Sequence, residues 1–147
     1  MKYLIPIFIL LLIACNCKSQ DITSTEAVGS SNIYYAALTR FVESNCKDCK
    51  EILIEKDELI TDKLPAKIGN CVVNFVDVDF IDEILKQKIK LTLFHVIPLR
   101  VKDGEFFVNI ISFDVQKESD HFRYINTGGA KVVFYYEKQK FVFNRIE

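Results

Sequence analysis

The sequence predicts an α+β domain: a curved antiparallel sheet of about five to six strands packed by an N-terminal helix and a second short helix. Three observations carry this expectation. Apolar residues recur at helical spacing from position 32 to position 45, the final third alternates short apolar runs with two-residue turns, and 50% of the 147 residues are apolar, with 12 Phe and 6 Tyr. With only 5 Gly and 3 Pro the chain is too apolar and aromatic to be disordered or collagenous. Its 19 basic against 20 acidic residues leave no positive surplus for nucleic acid. The length suits one domain.

Taken in order, Ser31 or Asn32 stands where a helix cap belongs, ahead of Ile33, Tyr34, Ala37, Leu38, Phe41 and Val42, and the helix should end near Asn45. Glu51–Glu55 is a short β-rich run, and Lys56-Asp57-Glu58 is a polar turn into Leu59-Ile60. Pro65 and Gly69 punctuate a loop before a second strand over 71–78. Asp79, with Asp82 three residues on, opens a short helix carrying Ile81, Ile84 and Leu85, a variant of the capping box. Runs 91–101 and 106–115 flank Asp103-Gly104, the strongest short-range hairpin signal. A loop at 117–120 follows, then strands over 122–126 and 130–137 either side of a Gly128-Gly129 turn, and a last strand over 140–146 after a Lys138-Gln139 turn. Such short connections imply antiparallel pairing. This order of elements is loosely similar to cystatin-like and nuclear-transport-factor-like folds, without the long N-terminal helical region of the latter.

The first fourteen residues stand apart. Lys2 supplies a positive start, and Leu4–Ala14 is an apolar run broken only by Pro6, short for a membrane span of ~20 residues and suited to a secretory signal. Leu12-Ile13-Ala14-Cys15 resembles the lipobox of bacterial lipoproteins: a branched apolar residue, a tolerant position, a small residue, then the cysteine to be lipidated. The resemblance implies cleavage before Cys15 and acylation of its thiol, with fatty chains of the palmitate kind holding the protein to a membrane without spanning it. Three regions result: a lipoprotein signal peptide at 1–14, the lipidated cysteine and a flexible Ser/Thr-rich tether at 15–31, and one α+β domain at 32–147. The implied location is the cell envelope, with the outer membrane favoured, as in small Gram-negative envelope lipoproteins. A plain secretory signal cut near Ser19 is the other reading of this stretch and gives a periplasmic or secreted protein.

Three constellations bear on chemistry. Cys46-Lys47-Asp48-Cys49 is a C-x-x-C in an exported chain, with Cys71 as a third thiol, so one disulfide with one spare thiol is the structural reading and a redox pair the functional one. A redox cysteine needs a lowered pKa, which a helix N-terminus supplies; this motif follows a helix instead. As zinc ligands the pair lacks companions, because His95 and His121 are the only histidines and stand far apart. The second constellation follows from hairpin register: with Asp103-Gly104 as the turn, His95 faces Ser112, and Asp114 lies diagonal on the same surface, a candidate pocket. Ser112 sits mid-strand, where no strained turn provides an oxyanion hole, so a polar end to a half-buried face is the plainer reading.

Third, the late strands are rich in aromatics. With Lys138-Gln139 as the turn, Tyr136 faces Phe141, Phe134 faces Phe143 and Tyr135 faces Val142, giving either ordinary core pairs or an exposed docking stripe. Asp77, Asp79, Asp82 and Glu83 cluster at the second helix's start, where capping explains them better than calcium. No phosphate-cradling loop, nucleophile elbow or H-E-x-x-H motif occurs. The sequence thus points to a non-catalytic binding or interaction module, of immunity or inhibitor type among the options, needing no cofactor or metal. Its expected partners are the membrane through Cys15 and a protein or small apolar ligand. A thiol-active envelope protein using Cys46 and Cys49 is the alternative.

Overall fold

Asn32 starts the first helix as the sequence requires. In the computed structural model, which describes residues 32–147, its side-chain oxygen accepts hydrogen bonds from the backbone N–H groups of Tyr34 and Tyr35, each at 3.1 Å. The predicted leader, Cys15 and the tether lie outside the described residues. Helix α1 (Ile33–Asn45) buries Ile33, Ala36, Ala37, Leu38, Phe41 and Val42, and closes where the Cys46 N–H donates to the Val42 carbonyl at 3.0 Å.

The described residues form an α+β fold with two helices and an open, mostly antiparallel sheet of eight strands rather than five or six. The sheet contains β1 (Glu51–Glu55), β2 (Lys67–Ile68), β3 (Cys71–Val76), β4 (Leu91–Val96), β5 (Arg100–Lys102), β6 (Glu105–Glu118), β7 (His121–Glu137) and β8 (Lys140–Ile146), in the order β2-β3-β1-β4-β6-β7-β8, with β5 pairing β6. The excess over expectation has two sources. Lys67–Ile68 forms a short hairpin with β3 around Gly69, and the run expected as one strand over 91–101 divides into β4 and β5. The sheet is also not wholly antiparallel, since β1 runs parallel to both β3 and β4. Helix α2 (Val78–Leu85) makes this possible by carrying the chain from β3 over β1 to β4. Its cap is Asp77, which accepts from the Phe80 N–H at 2.9 Å; the strand before it therefore stops at Val76 and the helix begins before Asp79.

The two helices cover opposite faces. Ile52 and Ile54 join Leu38 and Phe41 of α1 in the larger core cluster, whereas Leu53 between them packs with Ile81 and Leu85 of α2. Alternation in one strand thus serves two cores. Phe134, Val132, Val108 and Ile110 complete the α1 side, each fully buried, and each such side chain contributes roughly 1.5–3 kcal/mol of apolar burial.

Two departures from expected register matter for the site. The Asp103-Gly104 turn forms, with φ of 52° and 79°, and Val101 faces Phe106 as expected. Past Ile97-Pro98-Leu99 the pairing slips by one residue, so that His95 faces Ile111 and Val96 faces Ile110. Pro98 has no N–H for the ladder, and the Leu99 N–H instead donates to the Tyr34 hydroxyl of α1 at 3.2 Å. The Gly128-Gly129 pair, expected as a turn, lies inside the continuous 17-residue β7, beside a bulge between Ser112 and Phe113 in the pairing with β6. Thr127 is the extra residue there, and its hydroxyl meets the Ser112 carbonyl and hydroxyl at 3.2 and 2.9 Å. The expected loop at 117–120 narrows to a tight turn at Ser119-Asp120. The β7–β8 pairing is as expected, with Tyr136 on Phe141, Tyr135 on Val142 and Phe134 on Phe143.

Candidate functional site

The slip at Pro98 separates the residues expected to gather. Ser112 shares the α1 face with Val108 and Ile110, and Asp114 shares it with Thr92, whose hydroxyl donates to it at 3.0 Å. Lys90 also donates to Asp114, at 2.7 Å, and these two hydrogen bonds hold its carboxyl below the usual range. His95 projects from the other face, 6.4 Å from the Phe113 ring. The structure therefore brings Ser112 and Asp114 to one surface and leaves His95 on the opposite one. No side-chain motion through a hydrogen-bonded sheet can join them.

His95 keeps different company. Its Nδ1 lies 3.2 Å from Glu55 Oε2 at the end of β1, and Phe113 stacks edge-on against Tyr124 with ring centres 6.0 Å apart. Burial, and then the Glu55 carboxylate, push the Tyr124 hydroxyl above its ordinary pKa. Four strands thus assemble Glu55, His95, Phe113 and Tyr124 beside α2. The carboxylate orients the imidazole, an arrangement that suits a hydrogen-bonding ligand. Sequence reasoning missed this group because an unslipped register puts His95 on the wrong face; Pro98 was the signal that could have found it.

The three thiols do come together. Cys46 and Cys71 are buried in the α1 core and Cys49 packs against it, all as free thiols. Burial first, then a hydrogen bond to the Cys49 side chain, pushes the Cys46 thiol up to about 12, and burial also raises Cys71. Neither thiol readily gives up its proton at neutral pH, so neither would open an attack on an outside reagent. Among the described residues no group of three His, Cys, Asp or Glu side chains is arranged to hold a metal ion. The acidic cluster is occupied by structural duties: Asp77 caps α2, and Asp82 pairs with Lys117 and with Lys86.

The aromatic residues divide between the two faces instead of forming one stripe. Phe134 is fully buried, Phe106 and Phe141 pack at 5.5 Å, and near the C-terminal end of β7 Tyr135 and Tyr136 are exposed, one on each side. A different surface is open. Strand β8 pairs with β7 only from Val132 onward, extended by the Lys131–Glu147 backbone pair. Among the described residues nothing pairs with the outer edge of β7 over 121–130, and 123–129 are all exposed, including Tyr124 and Ile125. A long edge of this kind presents backbone donors and acceptors ready to bind another chain.

The chain matches no known protein family, no curated protein and no solved structure.

Proposed function

We propose that this protein is a lipid-anchored envelope protein whose domain is a non-catalytic binding module. It engages a protein partner along the open half of β7, with Tyr124 and Ile125 as apolar contacts on the two faces. The edge over 121–130, unpartnered among the described residues, is the observation that carries the binding role, since strand addition draws affinity from main-chain hydrogen bonds and specificity from alternate side chains. The lipobox-like Leu12-Ile13-Ala14-Cys15 supports the anchor, and an immunity or inhibitor role suits a small tethered domain that blocks a partner. Among the described residues no helix is long and apolar enough to cross a membrane.

Two measurements test this reading. Intact mass from envelope fractions should fit residues 15–147 plus acyl chains; an unacylated chain beginning near Gln20 overturns the anchor. A photo-crosslinking residue at position 124 or 125 should give one discrete adduct in cells, whereas one at Leu59, which is more exposed but lies outside β7, should give none. Indistinguishable patterns at all three positions overturn the edge as the binding surface.

A further inference from the structure

The C-x-x-C motif lies at the point where α1 hands the chain to β1. Cys46 is the residue that ends the helix, and the Cys49 N–H donates to the Cys46 carbonyl at 3.0 Å, closing a β-turn over Lys47-Asp48. A closed turn of this type holds its first and fourth Cα atoms within about 7 Å, the span a disulfide bridges. Both side chains also pack into the same α1 core cluster, Cys46 within it and Cys49 against it. Next to them, the Val72 N–H donates to the Lys50 carbonyl at 2.9 Å, which sets Cys71 beside the end of the motif. Residues 44–49 line an open surface recess of about 430 Å³, so an outside reagent can reach Cys49, the least buried of the three.

We infer that Cys46 and Cys49 are a thiol–disulfide exchange site that takes up one disulfide from an external disulfide donor, with Cys71 remaining a thiol beside it. The donor supplies the oxidising equivalents. The Cys49 sulfur, as thiolate, attacks one sulfur of the donor, breaking the donor S–S bond and forming a mixed disulfide; the departing sulfur takes up the proton. Cys46 then attacks the Cys49 sulfur as its thiol proton passes to the departing donor sulfur, so that the Cys49–donor bond breaks, the Cys46–Cys49 bond forms and a second donor thiol is released. Two protein thiols are oxidised and one donor disulfide is reduced to two thiols. The greater accessibility of Cys49 and the burial of Cys46 set the order of the steps. The loop closed is among the shortest a disulfide can make, so the bond adds little to the fold's stability and serves exchange more than bracing. This chemistry is independent of the β7 edge and of the lipid anchor.

The sequence offers a direct readout. Trypsin cuts after Lys47, separating Cys46 in Phe41–Lys47 from Cys49 in Asp48–Lys50, while Cys71 falls in Ile68–Lys86. The full chain, reduced, desalted and incubated with oxidised glutathione, is then alkylated unfolded and digested without reductant. The two short peptides should appear as one linked species, at least about tenfold above the reduced sample, with Cys71 alkylated. Cys71→Ser should leave the link unchanged, and Cys46→Ser should trap glutathione on Cys49. A link from Cys71 to either partner overturns the inference, as does alkylation of all three thiols, or stable glutathione on Cys49 while Cys46 is present. The wild-type digest decides the matter without a variant, so a misfolded Cys46→Ser does not obscure it.

Discussion

Gly129 is the position where a single methyl group should matter most. A Cβ built there falls on the Ile110 carbonyl oxygen and lies 3.0 Å from the Ile111 Cα and 3.3 Å from the Ile110 carbonyl carbon. All three atoms are β6 backbone, held between β4 and β7 by ladder hydrogen bonds, so none can rotate aside. Gly128 makes the natural control, because its φ is also positive, at 130°, yet an added Cβ meets nothing within 4 Å. Gly128→Ala therefore carries only backbone strain, about 1–3 kcal/mol. Gly129→Ala carries strain plus the displacement of a central strand, about 3–5 kcal/mol together. In a domain of this size 1 kcal/mol moves Tm by roughly 4 °C, so Gly129→Ala should melt about 12–20 °C below wild type and clearly below Gly128→Ala. Circular dichroism melts of the two variants side by side give the comparison. Equal Tm values, or Gly129→Ala at the wild-type Tm, would refute the claim that Thr127 and the two glycines form a bulge pressed against β6.

Two further expectations follow from the core and the charges. Phe134→Ala, at 1% exposure, should cost about 3–5 kcal/mol in urea unfolding, whereas Tyr136→Ala two residues on, at 53% exposure, should cost far less; similar midpoints would mean that the β7–β8 aromatic pairs do not pack as described. The carboxyls of Asp82, Asp114, Glu105 and Glu147 are held below their ordinary range, chiefly by hydrogen bonds from Lys117, Lys90 and Arg145. Because the folded-state values are depressed, their contribution is present above the ordinary carboxylate pKa of about 4 and is lost as pH falls through the folded values. Arg145→Met, which frees Glu105 and leaves Glu147 only its Lys131 partner, should therefore lower Tm at pH 7 yet converge on wild type in acid; Tm–pH curves that stay parallel would show that the ion pairs are screened out.

Local signals were legible where one short-range rule decides the outcome. Asn32 caps, Asp103-Gly104 and Lys138-Gln139 turn, and the β7–β8 register follows from the second turn as expected through Phe134 and Phe143. The failures share a cause, which is that a glycine or proline marks a disturbance without saying which one. Gly128-Gly129 reads equally as a turn or a bulge, and only the long β6 opposite chooses the bulge. Pro98 marks a broken ladder, but the N–H next to it, that of Leu99, goes to Tyr34 of α1, 65 residues away in sequence. The slip there took His95 from Ser112 and gave it to Glu55, so the candidate pocket came apart over a single residue of register. The parallel placement of β1 was illegible for a related reason, since pairing across α2 is a property of the whole sheet.

The position of β1 has a consequence for the chain before it is folded. Both strands that flank it, β3 and β4, lie later in the sequence, so Glu51–Glu55 is made with neither neighbour and waits for both. During that wait its Ile52-Leu53-Ile54 centre is a short apolar segment with free edges, the kind that recruits copies of itself. Glu51 and Glu55 close it on either side, and Lys50 and Lys56 stand just beyond them. A tract of charges at both ends of an apolar strand acts as a gatekeeper against self-association. The same glutamates that later accept from Asn74 and stand beside His95 thus keep the unfinished chain apart from its copies until the sheet can close around it.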